Sequence, residues 1–143
     1  MIGGVAYYTL TTKATRNDAG QVEKPGKQTA FELKAGDCFN NVPADDKQVE
    51  SVDAVPCAQP HDAEVLVNVQ VPGSTYPGKD ESAKQVEKLC VDKIGDKLAN
   101  SPMSDRLDLY YLHPSVESWA HGDHEGTCIA AANDGKKLTA PVG

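Results

Sequence analysis

Aromatic residues are scarce in this chain, at 6% with a single tryptophan, Trp119, so any core must be built mainly from Val, Leu, Ile and Ala. Arginine is scarcer still: Arg16 and Arg106 are the only two. Bidentate phosphate recognition favours arginine forks, and nucleic-acid binding needs a positive footprint. With 14 Lys and Arg against 21 Asp and Glu, a formal charge of -7 and no basic run, the chain has neither. An anionic membrane surface is an equally poor partner for most of it. No apolar run reaches the length of a transmembrane span, and no signal-peptide pattern is present. Cys-x-x-Cys is missing, which removes thioredoxin-like motifs and most zinc knuckles. Gly-x-Ser-x-Gly and phosphate-binding glycine loops are missing too.

What is present suits one domain: 143 residues, 39% hydrophobic and 24% charged. A core of this size is often marginal without covalent help. The four cysteines, Cys38, Cys57, Cys90 and Cys128, are even in number and dispersed. They allow three pairings, of which Cys38–Cys57 and Cys90–Cys128 close the local loops and are favoured. Bonds of this kind persist in oxidising compartments, so the chain is expected to work outside the cytoplasm. That expectation requires export. The mildly apolar opening, residues 1–8, fits either an N-terminal strand or the outer end of a membrane helix in a longer parent chain, and we read it as the latter.

Residues 9–29 are polar and broken by Gly20, Pro25 and Gly26. They read as an arm or membrane-proximal linker, residues 1–29, ahead of a domain over 30–143. Phe31, Leu33 and Ala35 alternate with charged residues and suggest a short strand; Pro43-Ala44-Asp45-Asp46 suggests a turn. Val49, Val52 and Val55 mark a second extended stretch. Val65, Val67, Val69 and Val71 alternate strictly, so the valines should line the core. Ala83, Val86, Cys90, Ile94 and Leu98 recur at helical spacing, with Asp80 or Ser82 as cap and Ser82–Gln85 as a capping box. Cys90 in mid-stripe should point inward, where Cys128 can pin the helix. Leu107, Leu109 and Tyr111 suggest a strand; residues 116–120 a helical turn seating Trp119; residues 127–132 a buried strand; and residues 136–139 an edge strand. The sum is an α+β fold with a mainly antiparallel sheet, one principal helix on a face and two disulfides.

Two clusters could carry chemistry. Pro60-His61-Asp62-Ala63-Glu64 offers a His and a Glu, but at a turn entering a strand rather than on a helix face. The plain reading is a histidine that anchors the turn. Trp119-Ala120-His121-Gly122-Asp123-His124 offers two imidazoles and a carboxylate, which with a Cys128 thiolate would make a zinc set. A disulfide at Cys128 excludes that thiolate, and no resident metal or cofactor is expected. Serines 51, 74, 82, 101, 104, 115 and 118 are available as nucleophiles, without a motif that places one. A Cys57–His61 pair would need a reduced cysteine.

Leu33-Lys34-Ala35-Gly36-Asp37-Cys38-Phe39-Asn40 resembles the opening motif of the actinobacterial septum-formation domain family. The resemblance continues through Val52-Asp53-Ala54-Val55-Pro56-Cys57, Pro60-His61-Asp62-Ala63-Glu64-Val65, Cys90, Pro114-Ser115, Trp119, Gly122-Asp123 and Cys128, spanning residues 33–139. Ala140 departs from the family's preference for glycine. The resemblance implies an extracytoplasmic module, secreted or following a membrane helix, with a role in cell division or envelope assembly. It implies a protein or cell-wall partner and no established catalysis. Gly36, Asp37, Pro60, His61, Glu64, Trp119 and Asp123 become candidates for shared structural or binding roles, and His121 and His124 adjoin them. The residue-level alternatives are an envelope hydrolase acting on glycan or peptide, and a metal-binding or redox module.

Overall fold

The computed structural model describes residues 13–29, 32–40 and 51–142. Residues 1–8, Phe31, the turn at 43–46 and Val49 lie outside them. The strands are β1 (Thr15–Arg16), β2 (Val22–Lys24), β3 (Gly26–Thr29), β4 (Cys38–Asn40), β5 (Ser51–Val55), β6 (Ala63–Gln70), β7 (Leu107–Leu112) and β8 (Glu125–Ala132). The helices are α1 (Lys79–Ala99) and the short α2 (Val116–Ala120). Six strands form one sheet in the order β3-β5-β4-β6-β8-β7, and every pair is antiparallel. β1 and β2 make a separate two-stranded ribbon. This is the α+β architecture expected, with both anticipated disulfides, Cys38–Cys57 and Cys90–Cys128.

The valine ladder does something that its alternation hides. Val65 pairs with Ile129 and Val67 with Cys128, so Leu66 is an extra residue in a bulge. One inserted residue reverses the parity of everything after it. Ala63 and Val65 therefore face Leu33, Phe39, Val52 and Ile129. Val69 and Val71, with Val67 and Leu66 beside them, face α1. All four valines serve a core, but not the same one.

α1 lays Val86, Cys90 and Ile94 on the sheet, as the stripe foretells, and the Cys90–Cys128 bond fixes it to β8 at the middle of that contact. Its start differs from expectation. The helix begins at Lys79 with Gly78 as N-cap and no side-chain cap. Ser82 lies inside the first turn, fully buried, donating to the Pro114 carbonyl at 3.4 Å. The capping box belongs to α2, where Ser115 and Ser118 satisfy each other's backbone.

Close approach of helix and sheet depends on Gly126. A Cβ there would lie 2.7 and 2.8 Å from the Val86 methyls and 3.1 Å from Val69. Gly126→Ala must push α1 outward and is expected to cost about 2 kcal/mol, an overpacking effect. A denaturation midpoint unchanged from wild type would show that the helix accommodates the methyl freely.

Residues 13–29, which the sequence suggests as an arm, carry three strands. β3 forms the sheet edge on β5, pairing Gly26 with Ala54 and Gln28 with Val52. Ala14 and Val22 of the ribbon cover Ala54. Polar groups hold this segment: Gln28 is buried, and Lys27 pairs with Asp53 at 2.6 Å. Two expected strands are reduced among the described residues. Residues 33–35 enter a turn, and β4 begins only at Cys38. Residues 136–139 contribute one bridge, between Leu138 and His61.

Candidate functional site

The turn before β4 is densely hydrogen-bonded. Gly36 adopts φ 94°, a conformation that glycine enters without penalty, and its N–H donates to the Val65 carbonyl at 2.8 Å. Asp37 is 3% exposed. Its carboxylate accepts from the Lys34 N–H at 2.9 Å and from both terminal nitrogens of Arg16 at 2.8 Å. Arg16 also donates to the carbonyls of Gly20, at 2.7 Å, and Glu32, at 3.0 Å. The hydrogen bond to Asp37 raises the Arg16 pKa above its ordinary value. One bidentate pair thus ties the ribbon to the turn.

The register of β4 on β6 sets Cys38 opposite Glu64. Cys38 Sγ lies 3.8 Å from Glu64 Oε1, and Cys57 Sγ lies 3.2 Å from the Gly36 carbonyl oxygen. Cys38 is fully buried, Glu64 is 3% exposed and Cys57 is partly exposed. The C-terminal segment crosses this point, where the Val142 N–H donates to Glu64 Oε1 at 2.6 Å. Among the described residues, Cys38, Cys57 and Glu64 form the one group of three potential metal ligands whose ligand atoms lie within 4.8 Å of one another. The disulfide withholds both thiolates that such a site would need.

His61 is fully buried beside this group, at the entry to β6. Its Nδ1–H donates to the Gln59 carbonyl at 2.8 Å, and its backbone exchanges two hydrogen bonds with Leu138. It holds the turn and the C-terminal segment together, which is the anchoring role foreseen. Neither His61 nor Glu64 presents a surface that a partner could touch.

The second cluster is aromatic. His124 stacks on Trp119 with ring centroids 3.6 Å apart and planes 7° from parallel. The Tyr76 ring lies tilted by 59° at 5.8 Å from Trp119, whose indole N–H donates to the Ser74 carbonyl at 3.3 Å. Trp119 is buried. Asp123 accepts from the Glu125 N–H at 3.0 Å, and His121 is exposed at the C-cap of α2. Asp123 and His124 are therefore engaged separately, and Cys128 is bonded to Cys90. Of the residues singled out, Asp37, His61, Glu64 and Trp119 are buried, Gly36, Pro60 and His121 are exposed, and Asp123 and His124 are partly exposed.

Several candidate nucleophiles are occupied: Ser82 on Pro114, Ser115 and Ser118 on each other, Cys57 in its disulfide. Two polar contributors escape a sequence reading. Asn68 on β6 accepts from the Ala35 N–H at 2.9 Å and donates to the Leu33 carbonyl at 3.2 Å and to Glu125 at 3.1 Å. Burial, with help from Asp123, raises the Glu125 pKa. No motif marks either residue, since each contact depends on strand register.

The ion pair of Lys13 with Glu32, 2.8 Å long, pulls the Glu32 carboxyl down from 4.5 to about 2. A depressed acid contributes stability that is fully present above its unfolded pKa and is lost as pH falls through the folded one. In acid titration the difference between wild type and Glu32→Gln should accordingly shrink between pH 4.5 and about 2. The pair is largely solvated, so the difference will be small. A constant difference across that window would remove the assignment.

A family model described as septum formation matches residues 8–128, which include all four cysteines, the Asp37 turn, His61, Glu64 and the aromatic cluster. The chain belongs to the septum-formation family. No curated protein and no solved structure matches it. In this septum-formation domain the match starts well before the Gly36-Asp37 turn and takes in the β1–β2 ribbon, so the ribbon falls within the family region. No helix among its described residues is long and apolar enough to cross a membrane.

Proposed function

We propose that this chain is a non-catalytic, extracytoplasmic module of an actinobacterial cell-envelope protein, secreted or membrane-anchored, that binds a protein or cell-wall partner during septum formation or envelope assembly. The observation that carries the reading is the closure of all four cysteines into two disulfides within a septum-formation domain. Such bonds belong to oxidising compartments. The net charge of -7 and the two arginines, both engaged by aspartates, speak against nucleic acid. The contact surface is the turn after α2. There Asp123 N–H donates to the Ser118 carbonyl at 2.8 Å and His124 is stacked on Trp119, so His121 is displayed from a rigid support.

The test pairs co-sedimentation on purified cell walls with photo-crosslinking from the exposed position 120 in cells. Wall binding, or a crosslink to an envelope protein, that His121→Glu abolishes is the expected result. The absence of both wall binding and any crosslink would overturn the reading. Binding that is indifferent to His121→Glu would move the surface elsewhere.

A further inference from the structure

We propose that the Cys38–Cys57 disulfide is a thiol-exchange site, attacked at Cys57 by a low-molecular-weight thiol and closed again by Cys38 with Glu64 as its general base. This goes beyond the binding role and does not depend on it. The two disulfides sit in different surroundings. Cys90 and Cys128 are both fully buried between α1 and β8. In the other bond only Cys38 is buried, and Cys57 is partly exposed on the turn after β5. Exchange rates depend on which sulfur a thiolate can reach. An incoming thiolate can reach Cys57.

The step then runs as follows. The thiolate R–S⁻ donates its electron pair to Cys57 Sγ, an R–S–S–Cys57 bond forms, and the Cys38–Cys57 bond breaks with its electron pair leaving on Cys38. A thiolate buried beside a carboxylate is disfavoured. Cys38 therefore takes up a proton from solvent, and the contact of 3.8 Å to Glu64 Oε1 becomes the path for its S–H. Cys57, were it also freed by a second thiol, would have the Gly36 carbonyl 3.2 Å away as acceptor. Closure reverses the first step. Cys38 passes its proton to Glu64, its sulfur attacks Cys57, R–S⁻ departs, and Glu64 returns the proton to solvent. No net oxidant is consumed in this exchange. Full reduction consumes a second equivalent of the thiol and yields its disulfide.

The carboxylate is built for this position. It lies on the strand directly opposite Cys38, it is 3% exposed, and the Val142 N–H holds Oε1 at 2.6 Å.

The experiment treats the native, oxidised protein with glutathione and maps adducts by mass spectrometry, then dilutes the thiol and follows closure. The expected adduct is on Cys57, with Cys38 free and Cys90–Cys128 intact as internal control. Glu64→Gln should slow closure at least tenfold, within the range of general-base effects, and Glu64→Asp should restore part of the rate. Adduct on Cys38, simultaneous opening of both disulfides, or no opening at all would overturn the proposal from wild type alone. Closure by Glu64→Gln at the wild-type rate would remove Glu64 from the step.

Discussion

Replacing Cys90 and Cys128 together by alanine is expected to lower the stability of the domain by about 4 kcal/mol, from the loop-closure entropy of a bond between cysteines 38 residues apart. The corresponding figure for Cys38–Cys57, 19 residues apart, is about 3 kcal/mol. The first bond matters more for a second reason. Its sulfurs lie inside the cluster of Val69, Val71, Val86, Ile94 and Trp119, so alanine also leaves unfilled space there. Apart from Cys90, the buried side chains of α1 along its 21 residues are Val86, Ile94 and Ser82. A fall in Tm of about 15 °C is the matching thermal readout for a chain of this size. Should the double variant unfold within 1 kcal/mol of wild type, α1 would be held by packing alone, and the sulfur bridge would be incidental to the fold.

Arg16→Ala carries the second large effect, about 3 kcal/mol, because it strands the Asp37 carboxylate in a site where that side chain is 3% exposed. The Lys34 N–H would remain as its partner. The loss should be felt unevenly. Amide exchange in residues 13–29 should accelerate more than exchange in β6 and β8, since the guanidinium joins Gly20, Glu32 and Asp37 across the ribbon and the turn. Adding Asp37→Asn should recover part of the loss by removing the unpaired charge. A single variant as stable as wild type, with an unaltered exchange pattern, would mean that the ribbon is held by Ala14, Val22 and the β3–β5 ladder without the ion pair.

That contrast explains what could be read from the sequence. α1 was legible because its buried residues recur at helical spacing and Cys90 falls on the same stripe. β7, β8 and α2 were legible from alternation, apolar runs and the placement of Trp119. Residues 13–29 were not, because they are held by a guanidinium–carboxylate pair, a buried glutamine and backbone pairing, none of which leaves an apolar period. The cap of α1 misled for a related reason. Ser82 has the right type and spacing for a cap, but its hydroxyl serves a chain segment 32 residues away. At the sites, the identity of His61 and Glu64 stood out, yet their burial did not. It follows from Leu138 and Val142 folding back over them, a long-range event.

The bulge in β6 has a meaning for how this strand can change length. In a regular strand, loss of one codon turns every later side chain to the wrong face. Leu66 is the exception. Removing it would join Val65 to Val67 while keeping Val65 opposite Ile129 and Val67 opposite Cys128. The cost would be confined to what Leu66 itself touches, the margins of the clusters around Cys90 and Leu138. Single-codon deletions scanned along residues 63–70 should therefore find one tolerant position in an otherwise intolerant strand, and gene-level drift in the spacing between the Pro-His turn and the end of β6 has this residue as its outlet.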